Sequence, residues 1–328
     1  MKSTPSGPSP GFVRRIGEVV DRRRGVDFQE LKSRTLLNRL TGTAMPFGWT
    51  VNPFRGCEFG CRYCYARPTH EYLGHSDPEE FEDRIYVKRV DPTQVVADLR
   101  RARDSGQEVA IGAATDPYQP AETRFAITRG VLEAMTRVPG LRVGITTKSA
   151  AITRDVDVLG RIARDSDLHV NVSVISLDAD LVRLIEPRAP RPDLRLRAMR
   201  VLSEAGVPTR VFVMPVLPLI TDGAASLRAL LLAARAAGAR EAISQALFLR
   251  TAMTWRFFLR FVEDEFPWAL PRYRELYPSP GSAPREYREA IEHRVAALAR
   301  EAGFQARSRE ERVRDEAPAR PRQMSLVW

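Results

Sequence analysis

Between Phe47 and Leu249, short runs of β-branched and apolar residues alternate with longer stretches whose apolar positions recur at helical spacing. The short runs predict strands over 48–52, 108–113, 141–147, 168–175, 209–216 and 241–249, and the longer ones helices near 92–105, 121–138, 154–165, 193–205 and 223–237. Local punctuation agrees. Asp91-Pro92 reads as an N-cap with proline in the first turn, and Gly106, Gly206 and Gly238 stand where helices end. Regular alternation of strand and helix implies parallel strands joined by right-handed crossovers. Six such units predict an α/β fold, a partial (β/α)6 TIM-type barrel over 45–250, rather than the closed eight-stranded form.

The flanks read differently. Residues 1–44 carry basic runs (Arg14-Arg15, Arg22-Arg23-Arg24) with little periodicity, and are expected to form an irregular leader. Residues 251–306 are helical in pattern and rich in aromatics (Trp255, Phe257, Phe258, Phe261, Phe266, Trp268), with prolines breaking the run. They predict a C-terminal helical appendage that covers the open side of the barrel. Residues 307–328 are charged and proline-containing, which predicts a disordered tail ending in a short apolar peptide.

A hydrophobic content of 44% and a charged content of 28% are ordinary for a soluble protein. No apolar run approaches the ~18–20 residues that span a bilayer, and Met1–Pro10 has no apolar core of a secretory signal. A cytoplasmic location without membrane attachment is therefore expected. The net charge of +10 is supplied almost wholly by arginine. Guanidinium groups suit phosphate-rich partners, and an arginine-rich genome accounts for the same excess equally well.

The chain has only three cysteines, all within Cys57–Cys64. An odd number so closely spaced is not a disulfide framework, and three converging thiolates suit a metal or cluster. The spacing C-x3-C-x2-C follows the first predicted strand, at the barrel end where such folds place chemistry. A cube-type cluster normally takes four cysteines, so three leave one iron for the amino and carboxylate groups of a bound molecule. Gly56 and Gly60 allow close wrapping of the backbone. A Cys3His zinc site completed by His70 or His75 is the alternative, disfavoured by the spacing.

At Cys57, Cys61 and Cys64, with the aromatic Tyr63 before the last, the chain resembles the radical S-adenosylmethionine (SAM) superfamily. Further stretches resemble its branch of spore photoproduct lyase and the DNA repair photolyase-like relatives. They are 63–67 (Tyr-Cys-Tyr-Ala-Arg), 114–122 (Ala-Thr-Asp-Pro-Tyr-Gln-Pro-Ala-Glu), Thr147-Lys148-Ser149, 173–178 (Ser-Val-Ile-Ser-Leu-Asp) and 186–190 (Glu-Pro-Arg-Ala-Pro). The resemblance implies a [4Fe–4S] cluster on the three cysteines and S-adenosyl-L-methionine as cofactor. It places cofactor contacts at Thr115, Lys148 and Ser173. Lys148 is the sole lysine after Lys88, and a lysine with a hydroxyl suits a carboxylate. Asp116 and Glu122 are candidates for ribose or substrate contacts, Glu122 equally for a helix start. Tyr63 and Tyr65 are candidates for adenine stacking or hydrogen-atom relay. His169 reads as a satisfied core histidine. The chain departs from the lyase at Ala113, where the lyase carries a hydrogen-donating cysteine, so reversal of a thymine dimer by that route is not expected.

The chain closes with Gln323, Met324, Leu326 and Trp328 in a pattern similar to peptides that bind the bacterial sliding clamp. The expected activity is reductive cleavage of SAM and abstraction of a substrate hydrogen atom, on nucleic acid in DNA repair or modification. An electron donor such as flavodoxin or ferredoxin is implied. The same chemistry on a protein or small metabolite, and a non-catalytic zinc or iron–sulfur DNA-binding module, are the competing readings.

Overall fold

The computed structural model describes residues 16–23, 25–41 and 45–305. The terminal peptide with Gln323, Met324, Leu326 and Trp328, and the tail from 307, lie outside the described residues.

All six predicted parallel strands are present. Three strands precede them or flank them in sequence: β1 (Ile16–Arg23), β2 (Val26–Lys32) and β3 (Leu37–Arg39). The barrel begins with β4 (Trp49–Val51); β5 (Phe54–Arg55) and β6 (Arg84–Arg89) interrupt it, and β7 (Val109–Ile111), β8 (Arg142–Thr147), β9 (Asp167–Ser173), β10 (Thr209–Val216) and β11 (Glu241–Ala246) continue it. The large sheet has the order β11-β10-β9-β8-β7-β4-β3, in which β4 to β11 are parallel and β3 is antiparallel. Neighbours in this sheet follow chain order, so each crossover advances one strand and the helices collect on one side. Among the described residues no ladder joins β11 to β3, and the barrel is open.

Parallel strands are covered on both faces, so β7 reads as an unbroken apolar run, whereas in β9 apolar Leu168, Val170 and Val172 alternate with the buried polar His169, Asn171 and Ser173. Val109, Ala110 and Ile111, and Leu168 through Ser173, are buried throughout. Val143, Ile145, Val170, Val172, Val211 and Val213 share one core with Leu99, Leu132, Leu159, Leu202 and Leu230 from the crossover helices.

The segment expected to be an irregular leader is instead folded from Ile16 onward, a correction to the reading of residues 1–44. β1 and β2 form a hairpin, β2 adds parallel to β6, and β5 closes the order β1-β2-β6-β5. Val26 and Phe28 bury one side of β2 and Leu31 is buried on the other near its end, while Arg22 pairs with Asp27 at 2.5 Å. The partner strand β6 lies more than 50 residues away, beyond any local window. The helix expected over 121–138 is two, Pro120–Phe125 and Ile127–Met135, broken at Ala126 with φ 50°. The buried Glu122 carboxylate accepts from the amides of Thr128 (2.8 Å) and Arg129 (3.1 Å) and so caps the second piece.

The C-terminal region is helical: Ala252–Glu265, Leu270–Leu276 and Arg285–Glu301. The first of these contributes Phe258, Phe261 and Val262 to the apolar cluster that also holds Phe59, Cys61 and Tyr63, and its Phe257 ring lies against Arg62 and Arg67 of the cysteine segment. A reciprocal cap starts it, with the Thr254 amide donating to Thr251 Oγ1 (3.3 Å) and the Thr251 amide to Thr254 Oγ1 (3.1 Å). Thr251→Ala is expected to lower the unfolding free energy by about 1 kcal/mol, read from a urea transition. An unchanged midpoint would show that packing alone holds this helix start.

Candidate active site

The cysteine loop leaves β4 and β5 at the C-terminal mouth of the barrel. Two of its glycines are required by geometry. Gly56 has φ 83°, and a Cβ there would lie 2.7 Å from the Arg84 carbonyl; Gly60 has φ 66°, and a Cβ would strike the Glu82 carboxylate. The loop has little regular structure of its own, so its polar backbone is satisfied from elsewhere. The Cys57 amide donates to the Phe81 carbonyl (2.9 Å) and that of Arg62 to Ile185 (2.9 Å). Gln119 bridges the loop to the segment after β7: its Oε1 accepts from the Glu58 amide (3.0 Å) and its Nε2 donates to the Gly56 carbonyl (3.1 Å). The Glu58 carboxylate in turn accepts from the Ala121 amide at 2.7 Å. Arg67, 1% exposed, donates to the Cys61 carbonyl (3.0 Å), the Pro78 carbonyl (2.6 Å) and Glu82 (3.0 Å), and lies 4.4 Å from the Phe257 ring centroid.

Cys57, Cys61 and Cys64 are unpaired, and Cys61 is buried. Burial pushes the Cys57 thiol up, Asp116 and Cys61 adding to it, and pushes Cys61 up to about 12 against the pull of Lys148. Thiols in that state coordinate only when a metal deprotonates them. Three adjacent soft donors without a fourth suit a cluster with one open iron. The two histidines that could complete a Cys3His site are turned to other contacts through their Nε2 atoms, although His70 Nδ1 is buried without a partner. His70 Nε2 donates to the Arg84 carbonyl (2.9 Å), and His75 lies 3.1 Å from Glu80 and 2.6 Å from the Tyr86 hydroxyl. Among the described residues no three His, Cys, Asp or Glu side chains are set to hold a single metal ion.

Of the other sequence-predicted residues, Tyr63 and Tyr65 flank the last cysteine and Lys148 lies over Tyr63, whereas Glu122 and His169 are engaged elsewhere. Asp116 follows β7, where its carboxylate accepts from the Thr147 hydroxyl (2.7 Å), the Lys148 amide (2.7 Å) and the Tyr118 amide (2.9 Å). Burial raises its pKa despite those donors. Asp116 thus ties the end of β7 to the end of β8. Thr115 is buried, its hydroxyl 3.4 Å from the Phe54 carbonyl. The Lys148 ammonium lies 5.6 Å from the Tyr63 ring centroid. Burial opposes its charge, yet Cys61 and Glu186 outweigh it and hold the group above its ordinary range. Ser173 is buried at the end of β9. Tyr63 is buried and its hydroxyl donates to Glu186; Tyr65 is 52% exposed and its hydroxyl donates to the Ala113 carbonyl. His169 is buried with Nε2 3.7 Å from Glu108. Glu122 stands apart, bound to Arg154 (2.8 Å) and to the helix it caps.

Sequence reading passed over the residues that hold this arrangement. Glu186 and Arg195 form an ion pair with both side chains wholly buried. Gln119 and Glu186 lie in stretches already marked by resemblance, and that was the available signal; Arg195 had none.

A family model described as the radical SAM superfamily matches residues 51–230. The chain belongs to the radical SAM superfamily. It is a radical SAM enzyme, of a family whose cofactors are a [4Fe–4S] cluster and SAM. An uncharacterized protein of Mycobacterium tuberculosis (strain ATCC 25618 / H37Rv) is 37% identical over 297 residues, 89% of this chain and 86% of that protein. An uncharacterized protein of Methanocaldococcus jannaschii is 26% identical over 174 residues, 53% of this chain and 62% of that protein. A spore photoproduct lyase mutant superposes with a TM-score of 0.62 at 16% identity, covering 83% of this chain and 79% of that one. Another, with bound AdoMet and dinucleoside spore photoproduct, gives 0.59 at 15% identity over 80% and 76%. These likenesses establish a shared fold.

Behind the site, burial lowers the His70 pKa to about 4, with the Arg84 carbonyl opposing. The folded state then prefers neutral His70. The stability this confers is complete above the unfolded value of 6.5 and is lost as pH falls through about 4. A loss approaching about 3 kcal/mol is expected across that window, measured by urea unfolding at stepped pH. His70→Gln is expected to flatten the dependence; an identical pH profile in the variant would exclude His70 as its source.

Proposed function

We propose that Cys57, Cys61 and Cys64 hold the [4Fe–4S] cluster, that Lys148, Thr115 and Ser173 hold SAM, and that the substrate is a nucleic acid. The observation carrying this is that three unpaired thiols share one short loop at the barrel mouth, with the Lys148 ammonium over the ring of Tyr63 in that loop. When bound, the two cofactors supply a 5′-deoxyadenosyl radical by reductive cleavage of the sulfonium. The chain's own residues bind, orient and exclude water. Lys148 offers a charge-assisted contact to the methionyl carboxylate. Asp116, its oxygens already engaged, acts by fixing the Thr147-Lys148 backbone.

Of the two tyrosines, Tyr65 is exposed at the mouth and serves as hydrogen-atom relay or adenine neighbour; Tyr63 is a positioning residue beneath Lys148. Tyr65 lies beside Ala113, where the lyase has its hydrogen-donating thiol, so hydrogen return differs from the lyase's. The +10 charge and the lyase-like fold support a nucleic-acid substrate in repair or modification. Reduction by flavodoxin or ferredoxin, docking of the terminal peptide on the sliding clamp and a cytoplasmic location complete the proposal. Among the described residues no helix is long and apolar enough to cross a membrane.

The test is anaerobic reconstitution of the full chain, with 5′-deoxyadenosine measured after reduction, with and without irradiated DNA. About four irons per chain are expected, and Cys64→Ala is expected to lose them. Lys148→Ala should keep the iron and raise the Kd for SAM by about tenfold or more; unaltered affinity would remove Lys148 from the site. DNA affinity that falls steeply with salt supports the nucleic-acid substrate. Absence of binding at low salt overturns it and leaves a protein or metabolite.

A further inference from the structure

Next to Cys61 lies a group of charges that does not neutralise in the obvious way. Glu186, at the end of helix Ala179–Ile185, is wholly buried, and both of its oxygens are taken. Oε1 accepts from the Tyr63 hydroxyl and Oε2 from Arg195. Arg195, on helix Pro192–Glu204, is also wholly buried and fully engaged: Nη1 donates to the Ser173 carbonyl (3.1 Å) and Nε to the Pro190 carbonyl (2.7 Å). Lys148 is the other cation close to Glu186. Among the described residues it makes no ion pair within 4 Å, although its ammonium rests over the same Tyr63 that binds Glu186.

A buried carboxylate without a partner draws in whatever cation it can reach, because leaving it unpaired costs several kcal/mol. Lys148 is flexible and close, and pairing with Glu186 would withdraw it from the mouth. We propose that Arg195 is a positioning residue for the cofactor: by satisfying Glu186 it keeps the Lys148 ammonium free for an incoming carboxylate. This inference rests on the assignment of Lys148 to the SAM carboxylate.

The test uses anaerobically reconstituted full-length variants, with SAM Kd from equilibrium dialysis, iron content and thermal melting measured on each. Arg195→Gln removes the charge and keeps one neutral donor near the position of Nε, within reach of the Pro190 carbonyl. Its Kd is expected to rise about tenfold or more, as for Lys148→Ala, with iron retained. Removing the competing carboxylate as well, in Glu186→Gln/Arg195→Gln, is expected to return the Kd to within about threefold of the parent. Arg195 in a purely structural role would leave that double variant as weak as the single one, and this overturns the proposal, as does an unchanged Kd in Arg195→Gln. Should Arg195→Gln not fold, the double variant, which has no unpaired buried charge, decides alone: parental affinity supports the proposal and Lys148→Ala-like affinity overturns it. If Lys148→Ala binds SAM normally, the assignment of Lys148 fails first; if only Arg195→Gln does, the assignment stands and this inference falls.

Discussion

Eight residues from Cys57 to Cys64 must present three sulfurs in one direction, and almost none of their backbone is satisfied by the loop itself. Buried amides and carbonyls demand partners, so the loop's shape is dictated by what surrounds it. The partners come from β6's approach, the segment after β7, the helix that follows β9 and the 67–73 turn. They belong to three different connections of the barrel, those after β5, β7 and β9. The loop therefore keeps its shape only when these connections and the small sheet are assembled around it.

The electrostatics follow the same logic. Two buried ion pairs flank the loop, Arg67–Glu82 on one side and Arg195–Glu186 on the other. Such pairs add little net stability over apolar packing, but breaking one leaves a stranded charge. Their value here is directional, since each arginine also grips carbonyls with its planar fork. Burial works against the Glu186 charge, yet Arg195 and Lys148 together hold its pKa below the ordinary carboxylate range. The region beside Cys61 thus carries two cations and one anion.

What was legible in the sequence was what is local or strongly patterned. Val109–Ile111 stood out as a short apolar run of a strand covered on both faces, and the β-branched Val170 and Val172 marked β9 despite its buried polar residues. The cysteine spacing carried the cofactor class for the same reason: the ligands share one loop. The small sheet was not legible, because β2 mixes charged and apolar residues on both faces and its partner β6 is remote in the chain. The break at Ala126 escaped because a side chain, Glu122, outbids continuous helix for the amides of Thr128 and Arg129. Arg195 looked like one more surface arginine of a basic helix; only tertiary packing reveals that it is inside.

An open barrel leaves two raw strand edges, and an exposed edge is a template for another chain. Here neither edge is inviting. β3 is three residues long, ends in arginine and runs against its neighbour. Helix Arg285–Glu301 lies along β11, with Ile291, Val295 and Leu298 sunk into the main core. The C-terminal helix therefore does for the seam what two further strands do in a closed barrel: it shields the β11 edge from edge-to-edge pairing.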